Sequence, residues 1–259
     1  MYIPVHVTDF LSMIPRLPAP RLTLLTTWLA FVLFLGGCAS LEPAGHYVPE
    51  DGSGYLLVVD TLQVNPGLES LVSPFRADMA EEVSRVIGRA TATLTKDSPE
   101  GALGNMAADA MLYAISADIA ITNNGGLRVP LAEGPITVGH MFELMPFENM
   151  LVVLQLTGEH VLALANELAA TNGEPVAGIS LEIAEGGTAS NVRVAGQPVD
   201  PDRTYRVATS DYLANGGGNM PSLWLDVPRE EPHLTLRDTF IAYVQSRDVI
   251  EPVLEGRIK

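Results

Sequence analysis

The sequence predicts an α+β fold, mixed sheets with helices packed against them. Short β-branched runs alternate irregularly with amphipathic stretches, which disfavours a doubly wound order of strand and helix. Late in the chain the strand-like runs stand at hairpin-like spacing. No long low-complexity linker interrupts the chain from Tyr55 onward, so residues 54–259 read as one domain.

Tyr55 to Asp60 is β-rich and reads as a strand, Met79 to Ile87 as a helix, and Ala90 to Leu94 as a second short strand. Ser98 then offers a helix N-cap, with Pro99 at the first helical position. The helix that follows carries an apolar face of Leu103, Met106, Ala107, Ala110, Met111, Ala114 and Ile115. Asn105 and Asp109 stand one turn apart on a neighbouring face. Ile119 to Thr122 is a β-branched run that ends in a turn signal, Asn123-Asn124-Gly125-Gly126. Leu151 to Leu156 is apolar almost throughout, the pattern of a strand buried on both faces. Thr157 caps a helix whose core face is Val161, Leu164, Ala165 and Leu168, and Asn172-Gly173 ends it. Ile179 to Ile183, Val192 to Val194 and Tyr205 to Thr209 alternate as strands do. The last helix, from about Leu236 to Val244, is buried through Leu236, Phe240, Ile241 and Val244.

Charge narrows the function. The chain has 15 basic and 31 acidic residues, a formal net charge of −16. That excludes a non-specific binder of nucleic-acid polymers, which needs clustered Lys and Arg against phosphates. It leaves room for a small anionic ligand, which needs one or two local cations.

Residues 1–37 read as a lipoprotein signal peptide. Arg16 and Arg21 precede a charge-free apolar run from Leu22 to Leu35, too short for a comfortable membrane span. Leu35-Gly36-Gly37-Cys38 resembles a lipobox, which makes Cys38 the expected site of lipidation; a short uncleaved anchor is the other reading. Residues 38–53 form a polar tether. With Ala39 after the cysteine, the expected address is the cell envelope, at the outer membrane of a Gram-negative host. Cys38 is the single cysteine, so no intramolecular disulfide exists.

Three loops hold the unusual chemistry. In Asn123-Asn124-Gly125-Gly126-Leu127-Arg128 the paired glycines admit close approach of a ligand and Arg128 supplies a cationic fork; an ordinary turn with a surface arginine has the same letters. In Met145-Pro146-Phe147-Glu148-Asn149-Met150 a proline pins the loop beside an aromatic ring. Phe147 then either stacks on a planar ligand with Asn149 at its edge or plugs the core beneath a turn. The third, Asp211 to Asn219, sets Tyr212 before three consecutive glycines, Gly216 to Gly218.

These segments, with PEGALGNMAADAM, LTGEH and YRVATSDYLANGG, stand in the order and spacing of one family from about Val64 to Met220. The chain resembles the C-terminal, substrate-binding domain of bacterial 5'-nucleotidases, UDP-sugar hydrolases and cyclic-nucleotide phosphodiesterases. The resemblance implies a nucleoside site with the base between Phe147 and Tyr212. It further implies Asn149 at the base edge, Asn123 near the scissile phosphate and Arg128 on the ribose side. Where the family has an aspartate for the ribose hydroxyls this chain has Gly218, with Asn219 next to it as the candidate replacement.

In that family a separate N-terminal domain holds two metal ions that activate water. Its Asp-x-His, Gly-Asp-x-x-Asp and Gly-Asn-His patterns do not occur here, and the five histidines show no ligand-pair spacing. His140 and His160 read as surface or cap residues at helix starts. No catalytic residue and no cofactor is expected in this chain; divalent metals are expected only in a partner metallophosphatase. Three readings follow from the resemblance. The chain is the nucleoside- or nucleotide-binding half of a split hydrolase completed by a metallophosphatase chain, a non-catalytic nucleoside-binding lipoprotein, or a degenerate envelope scaffold.

Overall fold

The computed structural model describes residues 66–259. The expected signal peptide, Cys38, the expected tether and the strand expected at Tyr55 to Asp60 lie outside the described residues. Helix α1 spans Pro66–Ser84, β1 Val86–Ala90, α2 Ala102–Ala114 and β2 Ile119–Ile121. A 3-10 turn at Asn124–Gly126 leads to β3 Gly134–Thr137, α3 Val138–Leu144, β4 Leu151–Thr157 and α4 Gly158–Ala170. Then come β5 Val176–Ala177, β6 Ile179–Ile183, β7 Ala189–Val194, β8 Gln197–Pro198 and β9 Thr204–Ser210. The short α5 Asp211–Ala214, β10 Arg229–Glu230, α6 Leu236–Arg247 and β11 Val249–Ile250 complete the fold. This is α+β, as the sequence predicts. Among the described residues no helix is long and apolar enough to cross a membrane.

The five-stranded central sheet has the order β10-β4-β9-β2-β5, with β2 and β9 parallel and the other pairs antiparallel. Alternation along its strands builds two cores. Ala120, Ala177 and Ala208 face one side, where the alanine-rich α2 packs with α3, α6 and β1. Ile119, Ile121, Leu154, Leu156 and Val207 face the other, under Val161, Leu164, Ala165 and Leu168 of α4. Small side chains on the first face let α2 approach the sheet closely, while bulky ones fill the second. Strands β2, β4, β5 and β9 therefore bury both faces, which explains the near-continuous apolar run in β4, while the edge strand β10 is exposed. Two three-stranded sheets, β11-β1-β3 and β6-β7-β8, flank this body.

Several local expectations change. The first helix ends at Ser84, and Ile87 belongs to β1, Val86–Ala90, where Ile87, Gly88 and Ala90 are buried and the register shifts between Val86 and Gly88. The strand thus precedes the expected Ala90 to Leu94; Leu94 makes only an isolated bridge to Leu131. Nor do Ser98 and Pro99 start the next helix. Their peptide bond is cis, and α2 begins at Ala102 with Gly101 as N-cap and no side-chain cap. A Cβ on Gly101 would lie 2.3 Å from the Asp97 nitrogen, so the chain folds back on itself here before it can turn helical. Ala114 and Ile115 pack at the core margin rather than inside it, as does Ile241.

Other helix ends follow their local chemistry. Thr157 accepts from the His160 N–H, and Thr137 and His140 form a reciprocal capping box. At the end of α4 Asn172 and Gly173 both take positive φ, and the Gly173 N–H returns to the Leu168 carbonyl at 2.8 Å. A side chain at Gly173 would strike the Pro99 carbonyl, 2.1 Å from an ideal Cβ.

The PEGALGN segment serves the fold. Glu100 accepts from the Asn105 side chain at 2.6 Å and from the Glu255 and Arg257 N–H groups at 2.9 Å each, pinning the C-terminal segment. Burial opposes the ionised Glu100 carboxylate, but these hydrogen bonds outweigh it and hold its pKa below the ordinary value. Arg257, itself buried, pairs with Asp109 at 2.9 Å. The shared side of Asn105 and Asp109 thus faces the C-terminal segment.

Candidate functional site

The sheet topology gathers the three loops. Strands β2 and β9 run parallel and end at the same edge, and β4, antiparallel to β9, starts there with Leu151 opposite Ser210. The loop after β2 therefore carries Asn123 and Arg128, the loop before β4 carries Phe147 and Asn149, and α5 after β9 carries Tyr212. A cavity of about 340 Å3 between them is lined by these five residues with Gly125 and Gly126. Its volume lies within the roughly 300–1,000 Å3 of small-molecule sites. Gly218 and Asn219 do not line it.

Each loop is fixed by polar contacts. The Asp211 N–H donates to the Met150 carbonyl at 2.8 Å, and the Met150 N–H donates to the Asp211 carboxylate at 3.0 Å, joining the second loop to the third. Ser210 caps α5 by accepting from the Leu213 N–H. The Arg128 guanidinium stands 5.9 Å from the Phe147 ring centroid and donates to the Gly125 carbonyl at 3.1 Å. The Asn123 carboxamide lies over the paired glycines: an ideal Cβ on Gly125 would come 3.0 Å from its nitrogen. Both rings present substantial surface to solvent, Phe147 at 42% and Tyr212 at 50% exposure. Phe147 is therefore no core plug.

Four residues support these loops in roles that the sequence reading did not assign. Arg237 of α6 is buried; its guanidinium reaches the Met145 and Phe147 carbonyls at 3.2 and 3.4 Å, pairs with Glu148 and lies 4.0 Å from the Phe142 ring centroid. It holds the loop that presents Phe147. Lys96 donates to the Asn124 and Leu127 carbonyls at 3.3 and 2.8 Å, while Glu174 accepts from the Asn124 N–H at 2.6 Å. Burial drives the Glu174 pKa up despite its hydrogen bonds from Asn124. Gly217 lies beneath the Tyr212 ring, where an ideal Cβ would sit 2.5–2.6 Å from three ring carbons. Only the run of glycines signalled any of these; the charged three have partners tens of residues away.

Chemically the cavity offers two aromatic faces, one guanidinium and two carboxamides, a set that suits a planar, hydrogen-bonding ligand with an oxygen-rich portion. Among the described residues no group of three or more His, Cys, Asp or Glu side chains is placed to hold a metal ion.

A family model described as the 5'-nucleotidase C-terminal domain matches residues 83–224, more than half of the chain. Protein UshA of Escherichia coli K12 is 29% identical over 185 residues, covering 67% of this chain and 34% of that protein. The trifunctional nucleotide phosphoesterase YfkN of Bacillus subtilis is 30% identical across 75% of this chain, which is 15% of its own length. Among solved structures, a 5'-nucleotidase precursor from Thermus thermophilus superposes with a TM-score of 0.65 at 30% identity, over 74% of this chain and 42% of that one. The chain thus spans well under two thirds of each of these relatives.

Proposed function

The chain belongs to the 5'-nucleotidase C-terminal domain family, and on that premise we propose that its cavity binds the nucleoside part of a nucleotide for phosphoester hydrolysis. The observation that carries this reading is the convergence of Phe147, Tyr212, Asn149, Asn123 and Arg128 on one cavity from three separate loops. The base lies between the two rings with Asn149 at its edge. Arg128 serves the ribose side and Asn123 faces the phosphate. Ribose recognition without a carboxylate at Gly218 rests on Arg128 and the backbone, since Asn219 lies off the cavity.

The described residues hold no metal-ligand group, so no metal-dependent step is assigned to them. Hydrolysis in this reading is supplied by a separate metallophosphatase chain, and Cys38 anchors the domain to the envelope through a lipid. Mixing the two chains should produce phosphatase activity that neither shows alone; a mixture with neither complex nor rate gain would exclude the split enzyme. Mass spectrometry of the N-terminus tests the anchor, and an unacylated Cys38 would exclude it. Calorimetric titration with adenosine and AMP tests the cavity itself, and heats indifferent to Phe147→Ala would exclude it.

A further inference from the structure

A second concave surface lies apart from the nucleoside cavity and shares no lining residue with it. This open groove, about 680 Å3, runs between α2, α6, the β7–β8 turn and the C-terminal segment. Its charged groups are Arg193, Arg247 and Arg257 against Asp109 and Glu255. Both acids are committed to Arg257, at 2.9 and 2.8 Å. Arg193 and Arg247 have no carboxylate partner among the described residues.

That is informative in a chain with twice as many acids as bases. Seven of the eleven described arginines are ion-paired. Of the four that are not, Arg128 lines the nucleoside cavity, Arg89 borders a groove beside β1, and the remaining two share this one. Both are also oriented. Arg193 donates through Nε to the Asn191 carboxamide at 2.9 Å and through Nη1 to the Gly196 carbonyl at 3.1 Å. The Arg247 guanidinium stacks 5.2 Å from the Tyr243 centroid, and Tyr243 in turn meets Tyr113 edge-on at 5.7 Å. Holding these forks in place beforehand reduces the ordering cost of binding an anion.

We propose that this groove is a second, anion-binding site, which takes the phosphate group of a small molecule on Arg193 and Arg247. The exposed Tyr113 ring gives an attached base a surface to lie on. Free phosphate and a nucleotide monophosphate share the chemistry that the two arginines recognise. The proposal does not depend on the nucleoside reading of the first cavity.

The test uses the full chain carrying Phe147→Ala and Tyr212→Ala, which removes both stacking faces of the first cavity, titrated with inorganic phosphate, AMP and adenosine at low salt. At least one of the two phosphates should bind at one site per chain, adenosine should not, and Arg193→Gln or Arg247→Gln should each weaken binding about tenfold. AMP tighter than phosphate identifies a nucleotide as the ligand; equal affinity identifies free phosphate. Absence of binding by either anion, or binding that both glutamine variants leave unchanged, would overturn the proposal. Melting temperatures close to the parent's establish that the variants are folded.

Discussion

Gly217→Ala isolates the second aromatic face without touching the ring itself. The new methyl would stand 2.5–2.6 Å from Cζ, Cε1 and Cε2 of Tyr212. Carbon atoms rest at about 3.5–4.0 Å, so the ring must move by about 1 Å or swing away. Tyr212 is half exposed and can move outward with little loss of packing, and Gly217 does not occupy the left-handed region, so alanine fits the backbone. The fold should therefore survive while the stacking face is lost. A base stacked on an aromatic ring gains about 1–3 kcal/mol, which converts to a roughly ten- to hundredfold weaker Kd for adenosine. The assay is a double-mutant cycle by calorimetry with Gly217→Ala, Tyr212→Ala and both together. The double variant should bind no worse than Tyr212→Ala alone, because the methyl then has nothing to displace. Parent-like affinity in Gly217→Ala would refute the reasoning, as would a second full loss added to that of Tyr212→Ala.

Other perturbations separate binding from support. Phe147→Ala should weaken adenosine binding by about ten- to a hundredfold and lower the melting temperature only slightly, since the residue is 42% exposed. Arg237→Leu should weaken binding and also destabilise the fold by about 1–3 kcal/mol in urea unfolding, because the carbonyls of Met145 and Phe147 lose their donor. Glu100, whose pKa folding depresses, contributes stability that is present above the unfolded carboxylate value and is lost as pH falls through the folded one. Glu100→Gln should therefore lower the melting temperature at about pH 7 and lose that effect in acid. Glu174 has the opposite sign: its contribution is complete below the unfolded value and is lost as pH rises through the raised folded one. Glu174→Gln, still an acceptor for Asn124, should match or exceed the parent's melting temperature at about pH 7, with the difference vanishing near pH 4. A marked loss for Glu174→Gln at neutral pH would contradict that account.

What the chain declares locally was readable. Thr157, Asn172 and Gly173 bound α4 through contacts within a few residues, and the near-continuous apolar run of β4 correctly predicts burial on both faces. The start of α2 was not readable from Ser98-Pro99, because the chain folds back on Gly101 before turning helical. Asn123, Arg128, Phe147, Asn149 and Tyr212 could be named from their loops. Their meeting depends on β2, β4 and β9 sharing one edge, a fact of sheet order rather than of any short segment. Arg237 was invisible for the same reason: it sits in an ordinary helix and acts on carbonyls about ninety residues earlier. The role of Glu100 rests on N–H groups even farther along the chain.

The most direct test of the nucleoside site is calorimetry of the full chain with adenosine, beside the Phe147→Ala/Tyr212→Ala variant. Saturable binding at one site, lost in the folded double variant, is the predicted result. Absence of binding by the parent, or equal binding by the double variant, would contradict the account.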